Sequence, residues 1–161
     1  HLNAVIQEKT NEPQKNKGEY KNGKTLFRRG DKVMQKQNNY DKGVFNGDIG
    51  EIFAIQNDVI YVRYPEQDVK YEGQEVDEIT LAYAITVHKS QGSEYHTVIM
   101  TIVNSHAIML QRNLFYTAVT RAKRKVILVG TKIALQSAIQ NTRTSRRFTL
   151  LTPRLREEDV C

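Results

Sequence analysis

The sequence predicts an α/β fold, a parallel sheet joined to a small antiparallel β-barrel, and three observations carry that prediction. Two apolar runs, residues 98–103 and 126–129, have the length and β-branched content of strands. Between them Leu110, Leu114, Ala118 and Arg121 recur at helical spacing, which predicts a helix over residues 109–124. Strand, helix, strand is the order of a parallel α/β sheet. Upstream, short strand-like runs alternate with turn residues roughly every 8–12 positions, the rhythm of a small barrel.

From the start of the chain, Leu2, Val5, Ile6 and Lys9 predict a short amphipathic helix. It opens without a cap, so the chain is read as a piece of a longer one. Residues 11–22 are polar and lysine-rich around Pro13 and Gly18, which predicts a loop. Gly18 to Thr25 spells G-x-x-x-x-G-K-T, the phosphate-loop pattern. That pattern works only between a buried strand and a helix whose N-terminus faces the phosphates. Here EPQKNK precedes it and the strand-like LFRRGDKVMQ follows, so the match is read as coincidence and Lys24 as a solvated loop lysine.

Residues 32–37 read as a strand, and 38–43 and 46–48 as turns. Residues 51–55 and 59–64 flank Gln56-Asn57-Asp58 as a hairpin. Residues 69–71 and 79–83 complete the barrel series. A third apolar run, 81–85, leads into the polar stretch HKSQGSE. This stretch and TAVTRAK are placed at strand C-ends, where parallel sheets build ligand sites. Beyond Gly130, Thr131 is a candidate cap for a helix reaching Gln140. From residue 141 the chain is arginine-rich around 148–151, and Pro153 ends any regular element.

The whole chain has 161 residues and a net charge of +6, with a single cysteine, Cys161. That count excludes a disulfide framework and a cysteine metal cluster, and no metal ligands are assigned. No apolar run approaches the roughly 20 residues of a membrane helix and no signal-peptide pattern opens the chain, which points to a cytoplasmic protein without a membrane partner. Basic residues crowd the N-terminal third, the stretch 121–125 and the tail, while residues 66–78 are acidic. A surface polarised in this way would steer a polyanion to one side.

AITVHKSQGSEY resembles motif V of superfamily 1 helicases, and FYTAVTRAKRKVILVG resembles their motif VI. The SQGSE wording is closest to the RecD-like branch, to which the exodeoxyribonuclease V α subunit belongs. GDKVMQKQNNYDKGVFNGDIGEI is similar to the segment leading into that branch's inserted SH3-like domain. The resemblance implies a RecA-like second motor domain, partial, over residues 1–24 and 79–161, with an SH3-like barrel inserted at 25–78. It implies an ATP-dependent helicase moving 5′→3′ on single-stranded DNA and opening duplex DNA. ATP and Mg²⁺ would be bound mainly by a first motor domain of the same chain, absent here.

Residue roles follow from the same resemblance. Arg121 matches the motif VI arginine that faces the γ-phosphate as an arginine finger, a task suited to a planar fork supplied when two domains close. On pattern alone it is a surface arginine late in an amphipathic helix. Gly92, Glu94 and Gln91 match nucleotide-side positions of motif V, the glycine for close backbone approach and the glutamate as acceptor from a ribose hydroxyl. Thr86, His88, Lys89 and Ser90 would contact DNA phosphates. Tyr40 and Phe45 either stack on bases or pack the barrel. Asp77-Glu78 lacks the apolar strand that a Mg²⁺-binding acidic pair follows, so the chain alone is expected to be inactive.

Two other readings stay open. One is a non-enzymatic DNA-binding adaptor using the barrel and the basic tail. The other is a relaxase- or nuclease-associated relative of the motor.

Overall fold

The computed structural model describes residues 2–14, 18–104 and 111–141. They form two compact units, His1–Ser90 and Gln91–Cys161.

The first unit opens with helix α1 (Leu2–Thr10) and a hairpin of β1 (Glu19–Asn22) and β2 (Thr25–Arg28). An antiparallel sheet follows, built from β3 (Lys32–Gln35), β4 (Ile49–Gln56), β5 (Val59–Arg63), β6 (Asp68–Glu72) and β7 (Ile79–Leu81), in spatial order β6-β5-β4-β3-β7. Alternation along these strands turns Val33, Ile52, Ile60, Val62 and Tyr71 into one buried core. The β4–β5 hairpin forms where the sequence predicts it, with Asn57 and Asp58 both at positive φ (49° and 61°), as a two-residue turn matching strand twist requires.

Two expectations change here. The predicted SH3-like barrel is not closed: β6 and β7 are the two edges of an open sheet. Gly73 (φ +55°) turns the chain out of β6 into a 3-10 turn, Gly73–Glu78, which buries Val76 and delivers the chain to β7 without a β6–β7 ladder. The run 81–85 is not a strand of the parallel sheet. Only Leu81 is in a strand, and that strand is antiparallel β7, paired with β3.

Helix α1 inverts its predicted amphipathicity. Leu2 and Val5 are more than half exposed, whereas Gln7 and, just past the helix end, Asn11 are buried. Asn3 exchanges two hydrogen bonds with the backbone of Ala84, at 3.0 and 2.7 Å. Gln7 donates to Leu26 O and to Asp31, and Asn11 donates to Arg29 O and to Asp31. An amide stripe at i, i+4 and i+8 therefore docks this helix.

Asp31, fully buried, is the centre of that arrangement. One carboxylate oxygen accepts from Gln7 (2.6 Å) and Arg28 N (2.7 Å), the other from Asn11 (2.5 Å) and the Tyr83 hydroxyl (2.9 Å). Four donors satisfy a charge that would otherwise be costly to bury. Burial and the bond to Asp31 push the Tyr83 phenol up to about 12. A second polar chain crosses the sheet: Tyr64 and Tyr71 share a hydroxyl contact, Tyr71 donates to Gln35, and Gln35 and Asn39 donate to Glu78. Desolvation opposes ionisation of Glu78, but the amide bonds outweigh it and hold the carboxyl below its ordinary value.

The second unit contains β8 (Tyr95–Ile102), α2 (Arg112–Val119), β9 (Ala122–Gly130) and α3 (Lys132–Gln140). The two strands are parallel, in register from Val98↔Val126 to Ile102↔Gly130, so the chain is a mixed α/β structure as its sequence predicts. Helix α2 is shorter than expected. It ends at Val119 because Ala122 onward is captured by the ladder with β8, leaving Arg121 in the connecting turn. Positions 109 and 110 of the predicted helix lie outside the described residues. Thr131 caps α3 as predicted, accepting from Ala134 N at 3.2 Å. The arginine-rich tail from residue 142 lies outside the described residues.

A side chain at Gly130 would overlap the Ile102 carbonyl across the ladder. Gly130→Ala is therefore expected to pull the ends of β8 and β9 apart, a loss of about 1–3 kcal/mol. Faster amide exchange confined to those strands is the sign to look for, and unchanged exchange would contradict the packing argument. No helix among the described residues is long and apolar enough to cross a membrane.

Candidate functional site

The predicted site residues fall into two groups, one in each unit. In the first unit, Thr86, His88, Lys89 and Ser90 lie on a short turn after β7, with a 3-10 segment over His88–Ser90. Thr86 and His88 are exposed. Ser90 is buried, and its hydroxyl donates to Val87 O at 2.7 Å while its amide bonds Thr86 O at 3.2 Å. Ser90 thus shapes the turn that presents its neighbours. The Lys89 ammonium donates to Asn46 Oδ1, which ties this turn to the loop between β3 and β4.

In the second unit the parallel pairing does the assembling. Tyr95 pairs with Ala122 at the start of the ladder, and Tyr95 N donates to Arg121 O at 2.8 Å. The residues just before each strand, 91–94 and 121, are thereby brought together. They gather at the N-terminal ends of β8 and β9, not at the strand C-ends that the general rule for α/β sheets predicts. The cause is that both polar segments precede their strands.

Arg121 is half-buried and folded against backbone. Its Nε donates to Thr117 O and a terminal nitrogen to Ser93 O, each at 3.3 Å, and another terminal nitrogen reaches the Thr120 hydroxyl at 3.5 Å. These are long, weak bonds. Among the described residues no carboxylate pairs with this guanidinium. Glu94, next in the chain to the Ser93 that Arg121 contacts, pairs instead with Lys123 at 3.2 Å, both side chains being well exposed. An exposed pair of this kind contributes about 0–1 kcal/mol and exchanges readily for another partner. Gly92 sits at φ +82°, a conformation side chains resist, and Gln91 beside it is exposed.

Sequence reasoning missed four of these partners: Asn46 for Lys89, Lys123 for Glu94, and the carbonyls of Ser93 and Thr117 for Arg121. Only the basic run following Arg121 carried a trace of them. Among the described residues no group of three or more His, Cys, Asp or Glu side chains could hold a metal ion.

The segment Gly18 to Thr25 has no part in either group. It forms β1, the Gly23-Lys24 turn with Gly23 at φ +57°, and the start of β2. Its amides therefore serve a hairpin ladder, and no helix follows.

Residues 2–64 match the family described as the ATP-dependent RecD-like DNA helicase SH3 domain, and residues 81–129 match the UvrD-like helicase C-terminal domain. The chain is 38% identical over 124 residues to the ATP-dependent RecD2 DNA helicase of Deinococcus radiodurans, covering 77% of this chain and 17% of that protein. It is 35% identical over 128 residues to the RecBCD enzyme subunit RecD of Mycolicibacterium smegmatis, covering 80% and 22%. The chain thus spans only about a fifth of these relatives. The crystal structure of Pif1 helicase from Bacteroides in complex with ADP-AlF3 and ssDNA shares its fold, with TM-score 0.63 at 21% identity over 98% of this chain and 42% of that one. Two matched domains in the order that the motifs predict place the chain in the RecD-like helicase family.

Proposed function

We propose that this chain is the C-terminal part of an ATP-dependent helicase that translocates 5′→3′ on single-stranded DNA in the cytoplasm and opens duplex DNA ahead of it. On this reading residues 1–24 and 79–161 belong to a RecA-like second motor domain, and 25–78 form the SH3-like insertion. The pairing of Gln35 with Ile79 supports an insertion, since the chain leaves the sheet beside the point where it enters. The first motor domain, earlier in the same protein, would hold most of the ATP and the Mg²⁺.

One observation carries the assignment: a guanidinium with no carboxylate partner among the described residues, held only by long bonds to backbone and hydroxyl oxygens, at the position where motif VI places its arginine. ATP supplies the phosphoryl bond whose cleavage spreads charge over three oxygens. Arg121 gives up weak neutral acceptors for those charged ones, an exchange favourable only when a phosphate is presented. Glu94 leaves Lys123 to accept from the ribose, and Gly92 lets the backbone approach. Thr86, His88 and Lys89 hold DNA phosphates through hydroxyl, imidazole and ammonium donors.

The adaptor reading is less favoured, because an adaptor has no use for an arginine that, among the described residues, has no carboxylate partner. The purified chain is expected to hydrolyse no ATP, with or without DNA, since it offers an arginine but no phosphate cradle. A phosphate-release assay decides the point. DNA-stimulated turnover abolished by Lys24→Ala would restore the phosphate-loop role to the β1–β2 hairpin.

A further inference from the structure

The loop between β3 and β4 carries two aromatic side chains that the core does not use. Tyr40 is 76% exposed and Phe45 46% exposed, and their rings meet edge to face with centroids 5.8 Å apart. The loop beneath them is firmly built. Asn39 and Val44 bridge through two backbone bonds, and Val44 is buried. Phe45 N donates to Asp48 at 2.8 Å, Asn46 N to Asn38 at 2.9 Å and Gly47 N to Gln35 O at 3.0 Å. Asn39 is further anchored on Glu78. A rigid loop that keeps two rings in water has already met the ordering cost of binding.

Next to Phe45 stands Asn46, and Asn46 holds the Lys89 ammonium. The same surface of the first unit thus combines an aromatic platform, a positioned cation, and the exposed Thr86 and His88. Aromatic faces beside a cation are the chemistry of single-stranded nucleic acid, where bases stack and the backbone needs positive charge. A protein partner has less to gain from the cation, and a duplex hides its base faces.

We propose that Tyr40 and Phe45 form a base-stacking platform for single-stranded DNA, and that Asn46 positions Lys89 to take the phosphate beside the stacked base. This rests on the DNA-binding reading above and adds to it the part of the site that touches bases. Tyr40 supplies the more open face, Phe45 braces it edge-on, and Asn46 yields Lys89 to the phosphate.

The test is anisotropy titration of the whole chain with a fluorescein-labelled oligothymidylate at several salt concentrations. Tyr40→Ala and Phe45→Ala should each weaken binding roughly 5- to 100-fold, while the slope of log affinity on log salt stays unchanged. Tyr40→Phe should bind like the wild type, and Tyr40→Leu, equally apolar but without a ring, should not. Lys89→Ala should weaken binding and lower the salt slope by about one. Thermal melts of every variant accompany the titrations, and the Tyr40→Phe and Tyr40→Leu comparison remains decisive even if an alanine variant fails to fold. If Lys89→Ala weakens binding but Tyr40→Leu and Phe45→Ala do not, the platform is wrong, the DNA reading stands, and the rings face a protein. If the wild-type chain binds no oligonucleotide, both inferences fall.

Discussion

Arg121→Ala in the full-length helicase is expected to lower DNA-stimulated ATP turnover about 10³- to 10⁵-fold, the range over which an arginine finger contributes. Nucleotide affinity should change far less, because the guanidinium meets the γ-phosphate chiefly as charge develops on it. The structure sharpens the expectation with a second variant. Arg121 spans Thr117 O, Ser93 O and the Thr120 hydroxyl with three separate nitrogens. A lysine keeps the charge but has a single nitrogen, so Arg121→Lys should lose most of the turnover as well. Steady-state kinetics with a fluorescent-nucleotide titration separates the effects. Wild-type turnover in Arg121→Ala removes the residue from this role, and equal losses of affinity and turnover make it a binding residue only.

The second large effect concerns stability. Asp31→Ala takes the shared acceptor away from Gln7, Asn11, Arg28 N and Tyr83 inside a region closed to water. Breaking a buried charged network by removing one partner costs about 3–5 kcal/mol. That is a large share of the roughly 5–15 kcal/mol that holds a domain folded. Helix α1 should undock first, since its buried contacts are polar and run largely through this carboxylate. Asp31→Asn keeps the shape but turns one oxygen into a donor facing two donors, so it should lose nearly as much. Urea unfolding followed by circular dichroism measures both. An unfolding free energy within about 0.5 kcal/mol of the wild type for either variant would refute the role given to Asp31.

How much of this was legible beforehand depended on range. Strands β3 to β6 and the Asn57-Asp58 turn are written in local alternation and turn chemistry, and they formed where the sequence places them. Strand β1, by contrast, formed within residues 11–22, which read locally as a loop because their polar, lysine-rich composition hides a hairpin whose other arm is β2. The parallel strand-helix-strand order of the second unit was equally legible. The end of α2 was not: Arg121, Ala122 and Lys123 are good helix formers, and only pairing with the distant Tyr95 stops the helix and draws Ala122 and Lys123 into β9. The barrel failed to close because a 3-10 turn, which alternation does not reveal, took the place of a ladder. Helix α1 misled more deeply. Its apolar residues have helical spacing, yet the amides at positions 3, 7 and 11 do the docking, because Asp31 and the backbone of Ala84 wait for donors. Gly30-Asp31 reads locally as a surface turn, and nothing nearby says that its carboxylate is buried. For the candidate site, the motifs single out Arg121, Gly92 and Glu94, while the contacts of Arg121 with Ser93 and of Glu94 with Lys123 arise only from the pairing of β8 with β9.

The antiparallel neighbours β3 and β7 have one more consequence. Gln35 faces Ile79, and Lys36 N reaches back to Glu78 O at 2.7 Å, so residues 36–78 begin and end at one clasp. Everything between is a closed excursion whose length does not alter the spacing of its two ends. A tip grown or trimmed by evolution, or replaced by an engineer with a reporter peptide, would leave the turn at 86–90 where it is. The clasp leaves the core strands and Asn46 fixed, and the place that best tolerates such a change is the rim farthest from β3 and β7.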